Sequence, residues 1–207
     1  MNEYLDNLTK LNTDERLILL REDSKKRNIP VIRDASFNLL LTTINLLKPK
    51  RILEIGMANG CSAIGMLLES ENSHISCIEI NEEIALEAKK NFSNFNLTDR
   101  VTVFLGDANE IVTQLTGNYD FIFLDGPKGH YREYLPHLLP LLNKGGILFA
   151  DNVLFRGYVD GKEKHIHRYN TTIHSMQDFL KGISENESLR TNIFDMEDGV
   201  SVSLKIK

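Results

Sequence analysis

Residues 51–62 read RILEIGMANGCS, an apolar run closed by an acid and followed at once by a glycine loop that leads into a helical stretch. Four more short apolar runs end on oxygen-bearing side chains: HISCIEI at 74–80 with Glu79, VTVFLGD at 101–107 with Asp107, YDFIFLD at 119–125 with Asp125, and GGILFADN at 145–152 with Asp151 and Asn152. In an open α/β sheet, ligands bind beyond the carboxyl ends of the strands. Five strand ends of this kind therefore predict one shared crevice.

Outward from these runs, strands at 51–55, 74–79, 101–105, 119–124 and 146–150 alternate with helical stretches such as NEEIALEAKKNFSNF and HYREYLPHLLPLL. This is the rhythm of a parallel sheet, and right-handed crossovers place helices on both of its faces. Before Lys50, LTKLNTDERLILLREDSKKRN has apolar residues at helical spacing and stops at Pro30; Asn12 and Glu15 stand at the spacing of a capping box. A second helix is expected over 36–47. Near the end, a helix at 168–182 precedes two alternating runs joined by Glu197-Asp198-Gly199, which predicts an antiparallel hairpin at the sheet edge. The stretch 153–167 (VLFRGYVDGKEKHIH) has little periodicity and is expected to be a mobile active-site loop. One domain is expected over 1–207, with N-terminal helices to residue 48 and the core from residue 49.

The composition is that of an ordinary globular protein, 42% hydrophobic and 26% charged. A net charge of -5 argues against binding nucleic acid through whole-molecule electrostatics, so any such substrate must be held locally. Cys61 and Cys77 form neither a disulfide framework nor a metal-ligand spacing, and no basic start or long apolar run suggests export or a membrane span. A cytoplasmic location is expected.

The glycine loop follows a strand and opens a helix, and Glu79 stands 19 positions beyond Gly60, where it can accept from ribose hydroxyls. Ala58 occupies the place of the middle glycine, so the NAD fingerprint is not met. A carboxylate at Glu54, at the mouth of the loop, would repel a pyrophosphate and attract an ammonium, by roughly 4 kcal/mol at about 4 Å before screening. That sign favours S-adenosylmethionine. Ser62 can donate to the methionine carboxylate at a helix N-terminus, and Asp107 can accept from the adenine amino group.

Asp125, Asp151 and Asn152 supply only oxygen ligands, which suits Mg²⁺, with Ca²⁺ or Mn²⁺ as alternatives. Lys128 lies three residues beyond Asp125, and a cation beside a divalent ion has its pKa pushed down, the condition for a general base.

With E-x-G-x-x-x-G-x-S at 54–62, Asp125-x-x-Lys128-x-x-Tyr131 and Asp151-Asn152 in order, the chain resembles the metal-dependent class I O-methyltransferases, which include catechol and caffeoyl-CoA O-methyltransferases. Through IPVIRDAS at 29–36, FLGDANE at 104–110 and DNVLFRGYV at 151–159 it looks most like the bacterial tRNA 5-hydroxyuridine methyltransferases. The resemblance implies a Rossmann-like, mostly parallel seven-stranded sheet with a C-terminal antiparallel hairpin, and usually a homodimer. It implies S-adenosylmethionine held by Ile32, Glu54, Gly56, Ser62, Glu79, Asp107, Ala108 and Asp125. It also implies Mg²⁺ on Asp125, Asp151 and Asn152, and Lys128 deprotonating the acceptor. A tRNA anticodon base is the expected acceptor, with Arg156, Lys162, Lys164, His165 and Arg168 on phosphate and Tyr158 stacking on the base. A small phenol is the alternative, since a catechol and a 5-hydroxyuridine present the same chelating oxygens.

Overall fold

A computed structural model of the chain describes residues 11–164 and 166–207. Helix α1 spans Glu15–Lys26 and α2 spans Asp34–Leu47. There follow β1 (Arg51–Ile55), α3 (Cys61–Glu69), β2 (His74–Glu79), α4 (Glu82–Asn94), β3 (Val101–Leu105), α5 (Ala108–Gln114) and β4 (Tyr119–Leu124). The chain closes with α6 (Tyr131–Leu141), β5 (Leu142–Asp151), α7 (Asn170–Ser184), β6 (Leu189–Phe194) and β7 (Val200–Lys205). The seven strands lie in the order β3-β2-β1-β4-β5-β7-β6, with β7 antiparallel to both neighbours. The expected mostly parallel sheet with a terminal hairpin is the one observed.

The order in which successive strands are added to the sheet reverses between β1 and β4, which run parallel. From β1 and β2 the chain crosses to α3 and α4, which pack with α1 and α2 on one face around Phe37, Phe92, Phe121 and Phe149. From β3 and β4 it crosses to α5 and α6, which join α7 on the other face around Tyr131, Leu138 and Phe179. The loops after β1 and β4 thus part to opposite faces and leave a crevice between them, the place where such sheets take ligands.

Three local expectations differ. Asn12 does not cap α1: Asp14 does, its side chain accepting from Arg16 N at 2.8 Å, because the helix begins only at Glu15. The part of that expected helix before residue 11 lies outside the described residues. Strand β5 starts at Leu142, four residues early, since Leu142 pairs with Tyr119 across a register shift. The stretch after Asn152, expected to be a mobile loop, is anchored to the core along its first half. Val153, Leu154 and Val159 are buried in the second core, and backbone bonds such as Gly157 N to Leu154 O (3.1 Å) and Glu163 N to Gly157 O (2.9 Å) fold it into successive turns. Its apolar residues bury without any regular period, so the sequence pattern reads as loop. Among the described residues, no helix is long and apolar enough to cross a membrane, and Cys61 and Cys77 are free and buried.

Candidate active site

The crevice is a cleft of about 650 Å³ walled by the ends of all five parallel strands and by Pro30, Val31 and Ile32. That volume suits a nucleoside-sized ligand. At its centre the loops after β1 and β4 touch: Gly56 has φ +91, and a Cβ there would stand 2.5 Å from the carbonyl oxygen of Asp125. Only glycine permits both the conformation and the approach. Ala58 next to it also takes a left-handed conformation (φ 47), and its N–H donates to Glu79 at 2.9 Å. The other Glu79 oxygen accepts from Ile80 N and Asn81 N, each at 2.9 Å. The carboxylate is therefore pinned in the cleft wall as an acceptor.

Ile32, Gly56, Ser62, Glu79, Asp107, Ala108 and Asp125 all line the cleft. Asp107 doubles as the N-cap of α5, accepting from Asn109 N at 2.8 Å. Glu54 departs from expectation. It is fully buried and does not line the cleft; the last residue of β1 is Ile55, and Glu54 points with Ile52 into the face covered by α3. There it accepts from Ser62 Oγ and from Cys77 Sγ (3.2 Å). Burial pushes its pKa up to about 8, helped by the charges of Asp125 and Glu79 and opposed by those two hydrogen bonds. Its carboxyl is engaged by the hydroxyl of Ser62, a residue that itself lines the cleft.

At the other end of the cleft stand Asp125, Lys128, Asp151 and Asn152. Lys128 Nζ lies 2.6 Å from Asp125 Oδ1 and 5.4 Å from the centre of the Tyr131 ring. Burial works to lower its pKa, but the Asp125 and Tyr131 neighbours outweigh it and the net shift is upward. The lowered lysine pKa expected from the sequence assumed a divalent neighbour; with Asp125 as direct partner the sign reverses. Asp151 is almost wholly buried, and its Oδ1 has no hydrogen-bond partner among the described residues. Burial, and then the Asp125 charge, raise its pKa. Among the described residues no group of three or more His, Cys, Asp or Glu could hold a metal ion. The oxygen set here is two carboxylates and one amide, and a hard cation would relieve both the partnerless oxygen and the repulsion between the carboxylates.

The expected phosphate contacts fare less well. Lys162 pairs at the exposed surface with Asp195 (2.5 Å) and Asp160 (3.2 Å). Arg168 donates to Tyr169 Oη at 2.6 Å and lies over that ring. Arg156 and Lys164 are exposed, and His165 lies outside the described residues. Tyr158 is half-buried in an aromatic cluster with Phe155 and Tyr169, ring centres 5.4–6.0 Å apart. The sequence reading missed that cluster, whose members are spread over 15 positions, and also missed His130 and Tyr134, which line the cleft from the loop after β4 and from α6.

A Rossmann-like sheet whose switch-point cleft is rimmed by carboxylates is the architecture of a nucleoside-cofactor enzyme. The chain belongs to the O-methyltransferase family, whose model matches residues 9–206, and the protein is an O-methyltransferase. A Dictyostelium discoideum relative named "Probable caffeoyl-CoA O-methyltransferase 2" is 23% identical over 99% of this chain and 89% of its own length. A catechol O-methyltransferase of Niastella koreensis is 35% identical over 55% of this chain and 54% of its own. Among solved structures, a Staphylococcus aureus protein provisionally described as a caffeoyl-CoA O-methyltransferase superposes with a TM-score of 0.87 at 28% identity, covering 98% of each chain.

Proposed function

We propose that this protein transfers the methyl group of S-adenosylmethionine to a hydroxyl of a small catechol-like or caffeoyl-CoA-like phenol, with a divalent cation, Mg²⁺ foremost, held by Asp125, Asp151 and Asn152. One observation carries the reading: Asp151 presents a buried oxygen without a partner among the described residues, beside Asp125 and Lys128, in a nucleoside-sized cleft. Among the described residues the cleft is lined by Glu79, Asp107, Asp125 and Asp151 against one lysine, a balance that favours a cationic sulfonium over a polyphosphate.

In this reading Glu79 accepts from the ribose hydroxyls, Asp107 and Ala108 flank the adenine, and Gly56 lets the donor approach the Asp125 backbone. A cation on Asp125, Asp151 and Asn152 would supply Lewis acidity that lowers the pKa of the acceptor hydroxyl. Lys128, in the ion-paired state, is an ammonium suited to hold the acceptor oxygen as its charge develops.

The named relatives support a small phenol as acceptor. The tRNA alternative rests on the DNVLFRGYV resemblance, and Lys162, one of its expected phosphate contacts, is held by Asp160 of its own loop and by Asp195 of the β6–β7 turn. Labelled methyl transfer to catechol, caffeoyl-CoA and tRNA, each with Mg²⁺ and with chelator, tests the choice. Metal-dependent labelling of a phenol is expected, with Asp151→Ala abolishing it. Label entering tRNA alone would replace this reading, and full activity of Asp151→Ala would remove the metal from it.

A further inference from the structure

The turn joining β6 to β7 does more than reverse the chain. Glu197 has φ 52, a left-handed conformation that glycine adopts without cost and a side-chain-bearing residue does not. Its carboxylate accepts from Ala35 N (3.2 Å), Ser36 N (2.9 Å) and Ser36 Oγ (2.6 Å), all in the first turn of α2. That helix has no cap of its own, since its N-cap residue, Arg33, makes no side-chain capping bond. Asp34 is engaged instead by Arg21 and Lys25, at 2.7 and 2.9 Å. The donors at the start of α2 are thus met from the far end of the sequence.

The same turn holds the opposite wall of the cleft. Leu154 N donates to Asp198 O (2.9 Å), Val153 N donates to Gly199 O (3.0 Å), and Arg156 N donates to Asp198 Oδ1. These residues directly follow Asp151 and Asn152. Pro30, Val31 and Ile32, which wall the cleft on the other side, lie just ahead of the helix turn that Glu197 grips.

We infer that Glu197 is a positioning residue for methyl transfer, clamping the Pro30–Ile32 wall to the Asp151–Asn152 wall so that the two close on one cofactor. The strain at a left-handed glutamate and the benefit of a helix cap are opposite in sign and similar in size, so net stability does not account for the residue. A local serine or aspartate at position 33 would cap α2 without strain; it would not tie α2 to the hairpin. The inference rests on S-adenosylmethionine occupying the cleft.

The test compares Glu197→Gly, which removes cap and strain together, with Glu197→Ala, which removes the cap alone, and Glu197→Gln, which keeps an acceptor. S-adenosylmethionine binding is measured by calorimetry, kcat and KM with the best acceptor, and protection of the Ala35 and Ser36 amides by hydrogen exchange without ligand. The Gly and Ala variants are expected to lose amide protection and to bind the cofactor about tenfold more weakly. KM for the cofactor should rise with that loss while kcat falls less than threefold. The Gln variant should recover most of the affinity, and the unfolding midpoint of the Gly variant should stay near that of the wild type. Wild-type affinity in the Gly variant, or affinity that follows the unfolding midpoint rather than the presence of an acceptor, would overturn the inference alone. Failure of the wild type to bind S-adenosylmethionine would overturn the donor assignment and this inference with it.

Discussion

Glu54→Gln is the substitution that most sharply separates the buried-acid geometry from a charged-rim reading. The carboxyl has no exposure, and its pKa stands at about 8 against an ordinary value of 4.5, with burial as the main cause. Between those two values the folded protein keeps a proton that the unfolded chain has lost. Raising the pH through the window therefore favours unfolding. The destabilisation is absent below the lower value, complete above the upper one, and about 5 kcal/mol at most by linkage. Glutamine has the same shape, can donate to Ser62 Oγ while accepting from Cys77 Sγ, and never ionises. The variant should match the wild type at about pH 4 and be more stable by roughly 2–5 kcal/mol at about pH 8.5. Urea unfolding of both proteins at the two pH values measures this, with titrations elsewhere in the chain cancelling in the comparison. Equal pH dependence, or a less stable variant at the higher pH, would refute the reasoning. Cofactor affinity gives a second reading, because a Glu54 that does not line the cleft should be replaceable with less than about a threefold change. A loss on the scale of a direct ion pair, hundreds-fold, would restore the ammonium contact.

Two further predictions follow from the cleft geometry. Gly56→Ala places a methyl group 2.5 Å from the Asp125 carbonyl oxygen at φ +91, and should destabilise the fold by about 2–4 kcal/mol and abolish cofactor binding, as read by thermal unfolding and calorimetry. Lys128→Ala removes the ammonium beside Asp125 and should lower kcat by about 10²–10³ with little change in cofactor affinity; an unchanged kcat would exclude Lys128 from the chemistry.

Much of the site is legible from order alone. A short apolar run closed by an oxygen-bearing side chain marks a strand end wherever it falls, and the parallel fold gathers such ends on one edge; Glu79, Asp107, Asp125, Asp151 and Asn152 are read this way. Gly56 follows from the same logic, since a backbone that must pass under a ligand needs glycine. Local pattern also located β6 and β7, because alternation and an Asp-Gly turn are features of neighbouring residues.

Partners distant in sequence decided the rest. Glu54 reads as a strand-end acid, yet it occupies the position before the end, and the alternation of β1 turns it into a core whose other members, Ser62 and Cys77, lie 8 and 23 residues away. Lys162 belongs to a basic run until Asp195 arrives from the end of β6, 33 positions on. Glu197 caps a helix that begins more than 160 residues earlier. Periodicity and turn chemistry report what a residue does to its neighbours along the chain, and so they determined the strands, helices and loops of this O-methyltransferase. Charge state, capping and the closing of two walls on one cleft depend on which surfaces meet, and only the tertiary structure brings those surfaces together.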